Sequence, residues 1–228
     1  MGRVHADGVV AAVAGSQLAL ADVSLSAGEV ASVGDSACDE LLFLFAGGGS
    51  LDGVPVAAGS AALVACGETV TLTAGGQGLS AVRASVGGEC DLHAPMGARE
   101  RVVSVDEVEP GKATGSRSFQ VLFGPHNGST RATMFVGYVP PGRAPWHYHL
   151  YEEIVWIWKG SGRYHLASGV EELADGAAFW IAPREVHIVE NLSADRELAV
   201  LGIFTPAGSP SAAYLMPDVA ASYAIAPG

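Results

Sequence analysis

From Pro140 to Gly160 the chain reads Pro-Pro-Gly-Arg-Ala-Pro-Trp-His-Tyr-His-Leu-Tyr-Glu-Glu-Ile-Val-Trp-Ile-Trp-Lys-Gly. Residues two apart in a strand share a face, so His147 and His149 present their imidazoles in one direction. A short turn at Leu150 and Tyr151 would then start a new strand at Glu153. His187 would arrive from a separate hairpin after the loop at Pro183. Three neutral imidazoles and a carboxylate suit Fe, Mn, Ni, Cu or Zn and leave one or two positions open for substrate. Thiolate ligation is excluded, because Cys38, Cys66 and Cys90 all lie in the first half. Each of these residues alone has an ordinary explanation. A His-x-His can sit on a half-exposed face, Glu152-Glu153 in a solvated turn, and a single His at a hairpin end. Only the joint spacing points to a ligand set.

Around these residues, Arg143 shares the parity of His147 and could clamp a substrate carboxylate at two points, although Pro145 stands as a strand breaker between them. Tyr138, Tyr148, Tyr151 and Trp180 could line a pocket or donate a proton. Arg143 and Tyr148 are taken as the catalytic candidates. Trp156 and Trp158 have the opposite parity to Glu153. They should point away from the site and need cover from the other half of the chain or from a second subunit. His126 and His165 match no pattern, and His5 and His93 are expected at the surface.

The elements that must position such a site read as β-structure. Thirty glycines and twelve prolines punctuate the whole length, and no helical apolar period survives more than two turns between them. Short runs such as Glu40–Phe45 and Ala132–Val139 are bounded by turn residues, which predicts an all-β sandwich or barrel. A length of 228 residues fits one large domain or two of about 100 each.

An internal repeat favours two. Asp175–His187 aligns without a gap on Ala58–Val70, matching Gly176 with Gly59, Ala182 with Ala65 and Glu185 with Glu68. Upstream, Glu152-Glu153 and Gly160 match Asp39-Glu40 and Gly47. Carried back onto the first copy, His147, His149 and His187 fall on Gly34, Ser36 and Val70, and only Glu40 survives of the four. The first copy is therefore expected to bind no metal and to serve structure.

Twenty-four acidic residues against twelve Lys and Arg give a formal charge of −12. Such a surface repels phosphate backbones and anionic lipid, so nucleic acid and membrane are not expected partners. An odd cysteine count without Cys-x-x-Cys predicts reduced, buried thiols in a cytoplasmic protein. No window approaches the roughly 18 unbroken apolar residues of a membrane span. Val9–Ala21 is interrupted by Gly15, Ser16 and Gln17 and preceded only by Arg3, so it reads as opening strands rather than a signal peptide. The Pro-, Ala- and Ser-rich tail from Pro206 carries no chemistry and is expected to wrap an edge strand of a neighbour, as in a homodimer.

The pattern Gly142-x4-His147-x-His149-x3-Glu153-x6-Gly160 resembles the first motif of the cupin family. Gly176-x5-Ala182-x-Arg184-x2-His187-x3-Asn191 resembles the second. The chain departs from these patterns at Ala182, where proline is usual, and at Arg184, where glycine is usual. The first motif is also one residue short before its first histidine. The resemblance implies two tandem jelly-roll (double-stranded β-helix) barrels: residues 1–94 degenerate and without metal, residues 95–228 metal-binding. It implies one divalent transition metal, Fe, Mn, Ni, Cu or Zn, on His147, His149, Glu153 and His187. Cupins with this ligand set frequently act as dioxygenase-type oxidoreductases on small enolic, phenolic or carboxylic substrates. Two alternatives stand beside that expectation. One is a redox-neutral hydrolase or isomerase, similar in layout to ureidoglycine aminohydrolase, whose ligand set departs from His-x-His. It would need a general base that no further motif residue supplies. The other is a non-enzymatic binder of a small molecule.

Overall fold

In the strand Cys38–Leu51, Leu41 and Phe43 face one way, Leu42 and Leu44 the other, and all four are buried. A strand covered on both faces needs apolar layers on either side, and this requirement organises the molecule. The computed structural model describes residues 13–87, 93–113 and 116–215. Arg3, His5, Cys90 and the tail beyond residue 215 lie outside them.

The fold is predominantly β. In the first half, strands from Val13–Ala14 to Val102–Ser104 form one eight-stranded antiparallel sheet. Its two long members, Cys38–Leu51 and Val70–Gly87, pair along most of their length with register shifts near Ala46 and Gly49. The sheet bends there and encloses a core that includes Leu42, Leu44, Leu51, Val64, Val70 and Leu72. The strand Val102–Ser104, beyond residue 94, still belongs to this sheet through its pairing with Ser60–Val64.

The second half forms two six-stranded sheets. One contains Glu152–Lys159 between Ala178–Ile181 and Leu198–Thr205, followed by Thr133–Val139, Ser118–Phe123 and Gly111–Lys112. The other contains His187–Asn191, His147–Tyr148, Gly162–Leu166, Gly169–Leu173, Gly142–Arg143 and Tyr214–Leu215. Val155, Ile157, Phe179 and Val200 from the first meet Tyr164 and Leu173 from the second, so the sheets pack face to face around one core. The arrangement is jelly-roll-like.

A third core joins the halves. Leu41, Phe43, Leu63, Val82 and Val86 pack with Leu122, Met134, Ile154, Trp156 and Ile203. Trp156 is 3% exposed and meets Phe43 and Phe45 at ring-centroid distances of 6.5 and 5.1 Å, while Trp158 meets Phe43 edge-on at 5.0 Å. The outward tryptophans are thus covered by the first half of the same chain.

Carboxylates at equivalent repeat positions tie the halves together. Glu152 accepts hydrogen bonds from the Ser16 amide and hydroxyl at 2.9 and 2.8 Å and from the Gln17 amide at 2.5 Å. Asp39 meets the Arg131 guanidinium at 3.3 Å. Cys38 and Cys66 are free thiols and only part-buried, not core residues as expected. Cys66 Sγ lies 3.2 Å from the Ser36 carbonyl. No helix among the described residues is long and apolar enough to cross a membrane.

Candidate metal centre

His147 and His187 stand opposite each other in an antiparallel pair, with ring centroids 4.4 Å apart. His149 follows just past the end of its strand, and the Arg184 amide donates to its carbonyl at 2.7 Å. One ligand-capable atom from each of the three histidines lies within 4.8 Å of the others, and all three residues are buried. Glu153 comes from the facing sheet, with Oε2 at 3.0 Å from His149 Nε2. The site therefore bridges the two sheets of the second half.

Backbone carbonyls orient the rings. His147 Nδ1–H donates to Pro145 O and His187 Nδ1–H to Glu185 O, both at 2.8 Å. His149 Nδ1 lies 3.4 Å from Tyr151 O. A proton held on Nδ1 leaves the Nε2 lone pair for a metal. Burial also favours the neutral rings, lowering His147 to about 4 from the usual 6.5 and holding His187 well below its usual value. The donor set fits one divalent transition metal.

Gly202 makes room for the carboxylate. A Cβ there would lie 2.3 Å from the Phe135 ring and 2.7 Å from Glu153 Oε1. In the first half, Glu40 pairs with Ser85 as Glu153 pairs with Phe204, which puts Arg83 in the place of Gly202. Arg83 reaches to within 3.5 Å of Glu40. There the surviving carboxylate faces a guanidinium of its own chain, and Val70, at the position of His187, belongs to the apolar core.

A cavity of about 760 Å3, its open mouth included, adjoins the histidines. Phe119, Phe135, Val155, Ile181 and Val200 supply apolar wall, and Arg117, Tyr138 and Tyr151 also line it. Tyr151 stacks between His149 at 4.2 Å and Phe204 at 4.0 Å, and burial with the nearby charge of Glu153 raises its phenol, which stays protonated. The Tyr138 hydroxyl donates to Gln120 Oε1 at 2.5 Å.

The two residues taken from sequence as catalytic candidates lie elsewhere. Arg143 is exposed, pairs with Glu190 at 2.9 Å and does not line the cavity. Its two-residue strand lies on an exposed edge. Tyr148 stacks on Tyr214 at 5.2 Å and is likewise absent from the lining. Trp180 donates to Glu152 at 3.2 Å instead of facing the cavity. His165 is buried and bonded to Glu190 at 2.7 Å, and His126 and His93 are exposed. Sequence reasoning missed Arg117, the cation that does reach the cavity. Its parity with Phe119 was the available signal, but no motif covers that hairpin. The tail, as far as residue 215, also folds back on its own chain. Tyr214–Leu215 pairs with His147–Tyr148, and Pro210, Ser211 and Ala213 line the cavity.

Residues 134–204, which contain all four expected ligands, match the family model described as Cupin domain. The chain has a cupin fold. The oxalate decarboxylase of Lactobacillus farciminis in its formate complex superposes with a TM-score of 0.73 at 14% identity, over 90% of this chain and 81% of that one. A mutant of Bacillus subtilis oxalate decarboxylase superposes with a TM-score of 0.72 at 15% identity, over 91% and 75%. At such identity the likeness establishes the fold. No curated protein matches the sequence.

The cupin motif's departure at Arg184 has a local explanation. Arg184 sits at φ 65°, the left-handed region, and Gly67 at the same repeat position has φ 80°. The turn demands that conformation in both halves, which is why glycine is usual there. The adjoining glutamates repeat as well. Glu185 Oε2 accepts from the Ala182 amide at 3.0 Å, and Glu68 Oε2 from Ala65 at 3.2 Å. Arg184 thus keeps the cupin turn while carrying a side chain on it.

Proposed function

We propose that the protein is a metal-dependent enzyme of two tandem jelly-roll barrels, in which His147, His149, Glu153 and His187 of the second hold one divalent metal. A small organic anion is oxidised beside it with dioxygen. The observation that carries this reading is the convergence of three carbonyl-anchored imidazoles and Glu153 at the wall of an apolar cavity. A bound iron, manganese or nickel would supply Lewis acidity and redox capacity there. The chain's own part is positional. The apolar walls exclude water from the reacting groups. Arg117 draws an anion inward, and the Tyr151 hydroxyl donates to a substrate oxygen.

A redox-neutral lyase or hydrolase is the second reading. The fold likeness to oxalate decarboxylases favours it, and Tyr151 offers a proton donor. Metal analysis of untagged protein ranks the two. Wild type is expected to hold about one equivalent, lost in both His147→Ala and His187→Ala. Iron, manganese or nickel together with substrate-dependent oxygen uptake supports the dioxygenase reading. Product formation without net oxygen uptake supports the other, whichever ion is bound. Wild type that takes up none of these ions on reconstitution overturns both.

A further inference from the structure

Cys38 opens the strand Cys38–Leu51, and Cys66 stands in the turn that follows Ser60–Val64. These strands pair in antiparallel register, with Leu41 opposite Leu63 and Glu40 opposite Val64. Two further steps along that register bring Cys38 and Cys66 opposite each other on one face. The turn holds Cys66 there. The Glu68 amide closes it on the Ala65 carbonyl at 2.9 Å, and the Cys66 amide donates to Asp39 Oδ1 at 2.8 Å. The Cys66 thiol lies 3.2 Å from the Ser36 carbonyl, so the contacts of Cys66 fall on both sides of Cys38. Both thiols are free and part-buried. In the repeat, Cys38 takes the place of Tyr151, which lines the metal cavity of the second half. A position that serves the site in one half thus carries a thiol in the other.

We propose that Cys38 and Cys66 are a redox pair that closes reversibly into an intramolecular disulfide, with a small disulfide such as oxidised glutathione as the oxidant. Residues directly opposite in an antiparallel pair have Cα atoms about 4.5–5.5 Å apart, within the roughly 4.4–6.8 Å that a disulfide spans. The Cys66 thiolate attacks one sulfur of the small disulfide, whose S–S bond breaks as the mixed disulfide forms. The Cys38 sulfur then attacks Cys66, and the second small thiol leaves. Each leaving thiolate takes up the proton that a cysteine has given up. Two protein thiols are oxidised and one small disulfide is reduced to two thiols. The order of attack follows from the surroundings. Burial, and then the carboxylates of Asp35 and Glu40, raise the Cys38 thiol, so Cys38 resolves the mixed disulfide rather than forming it. The S–H···O contact of Cys66 with Ser36 is weak and gives way when its sulfur reacts. The bond would pin the turn to the strand from which Asp39 reaches Arg131 of the second half.

The test is equilibration of the full-length protein with glutathione buffers of graded reduced-to-oxidised ratio, followed by acid quenching, alkylation and peptide mapping by mass. Wild type is expected to lose two of its three alkylatable thiols and to yield one peptide linked through Cys38 and Cys66. The link should persist in Cys90→Ser and disappear with dithiothreitol. Cys66→Ser should not form it, and Cys38→Ser should stop with one glutathione on Cys66. A link through Cys90, a disulfide between two chains, or wild type that stays reduced or stops at a mixed disulfide at every ratio overturns the inference.

Discussion

Arg184 holds a backbone conformation that costs an L-residue roughly 1–2 kcal/mol and glycine almost nothing. Arg184→Gly is therefore expected to stabilise the protein by about 1 kcal/mol, less the extra freedom glycine has when unfolded. Chemical denaturation checks this, and a destabilised variant would mean that the side chain has a role the turn does not explain. The buried histidines set a pH dependence. In the folded metal-free protein His147 titrates at about 4, against 6.5 when unfolded. The unfolded chain therefore takes up the proton first as pH falls. Stability is complete above pH 6.5, declines between 6.5 and about 4, and the His147 contribution to the loss is on the order of 3 kcal/mol. His187 acts in the same direction. Glu68, lowered to about 2 mainly by its hydrogen bond to Arg99, adds its loss only below about 4.5. Urea midpoints of chelator-treated protein measured from pH 7 to 5 should fall, and bound metal should flatten that fall. The convergence of His147, His149 and His187 was legible in sequence because strand parity and motif spacing are local. The placement of Arg143 and Tyr148 outside the cavity lining was not, because parity with His147 says nothing about which sheet edge remains open to water.

Strand alternation was equally legible. It places Glu153 and Val155 toward the site and Trp156 toward the other half, as the structure does. What the pattern left open was the identity of the cover over the tryptophans, since the first half of the chain and a second subunit would impose the same apolar face. The cover is Phe43 and Phe45. Phe43→Ala should then cost about 3–5 kcal/mol, as for other fully buried aromatics. Circular dichroism and tryptophan fluorescence should report the same lowered midpoint, because the strand Cys38–Leu51 supplies both the first-half core and the shared core. Separate transitions for the two probes would contradict that coupling. The course of the tail as far as residue 215 was open for a related reason. Its composition reveals no partner, and Tyr214–Leu215 found one in His147–Tyr148 of its own chain.

At the scale of the molecule, the repeat was visible because glycines and acidic residues at turns survive when ligands do not. Gly59 and Gly176 keep positive φ, as do Gly47 and Gly160. The sequence could not show that a guanidinium had moved in beside Glu40, because Arg83 lies far from either motif and meets that carboxylate only through sheet pairing. The paired carboxylates have a consequence for traffic. Glu152 grips Ser16 and Gln17, Asp39 grips Arg131, and a shared core lies between the halves. Two lobes joined by both contacts and packed on a common core do not swing apart like jaws. Any molecule reaching the cavity must then enter by a local route, and Pro210 and Ser211 stand in its wall.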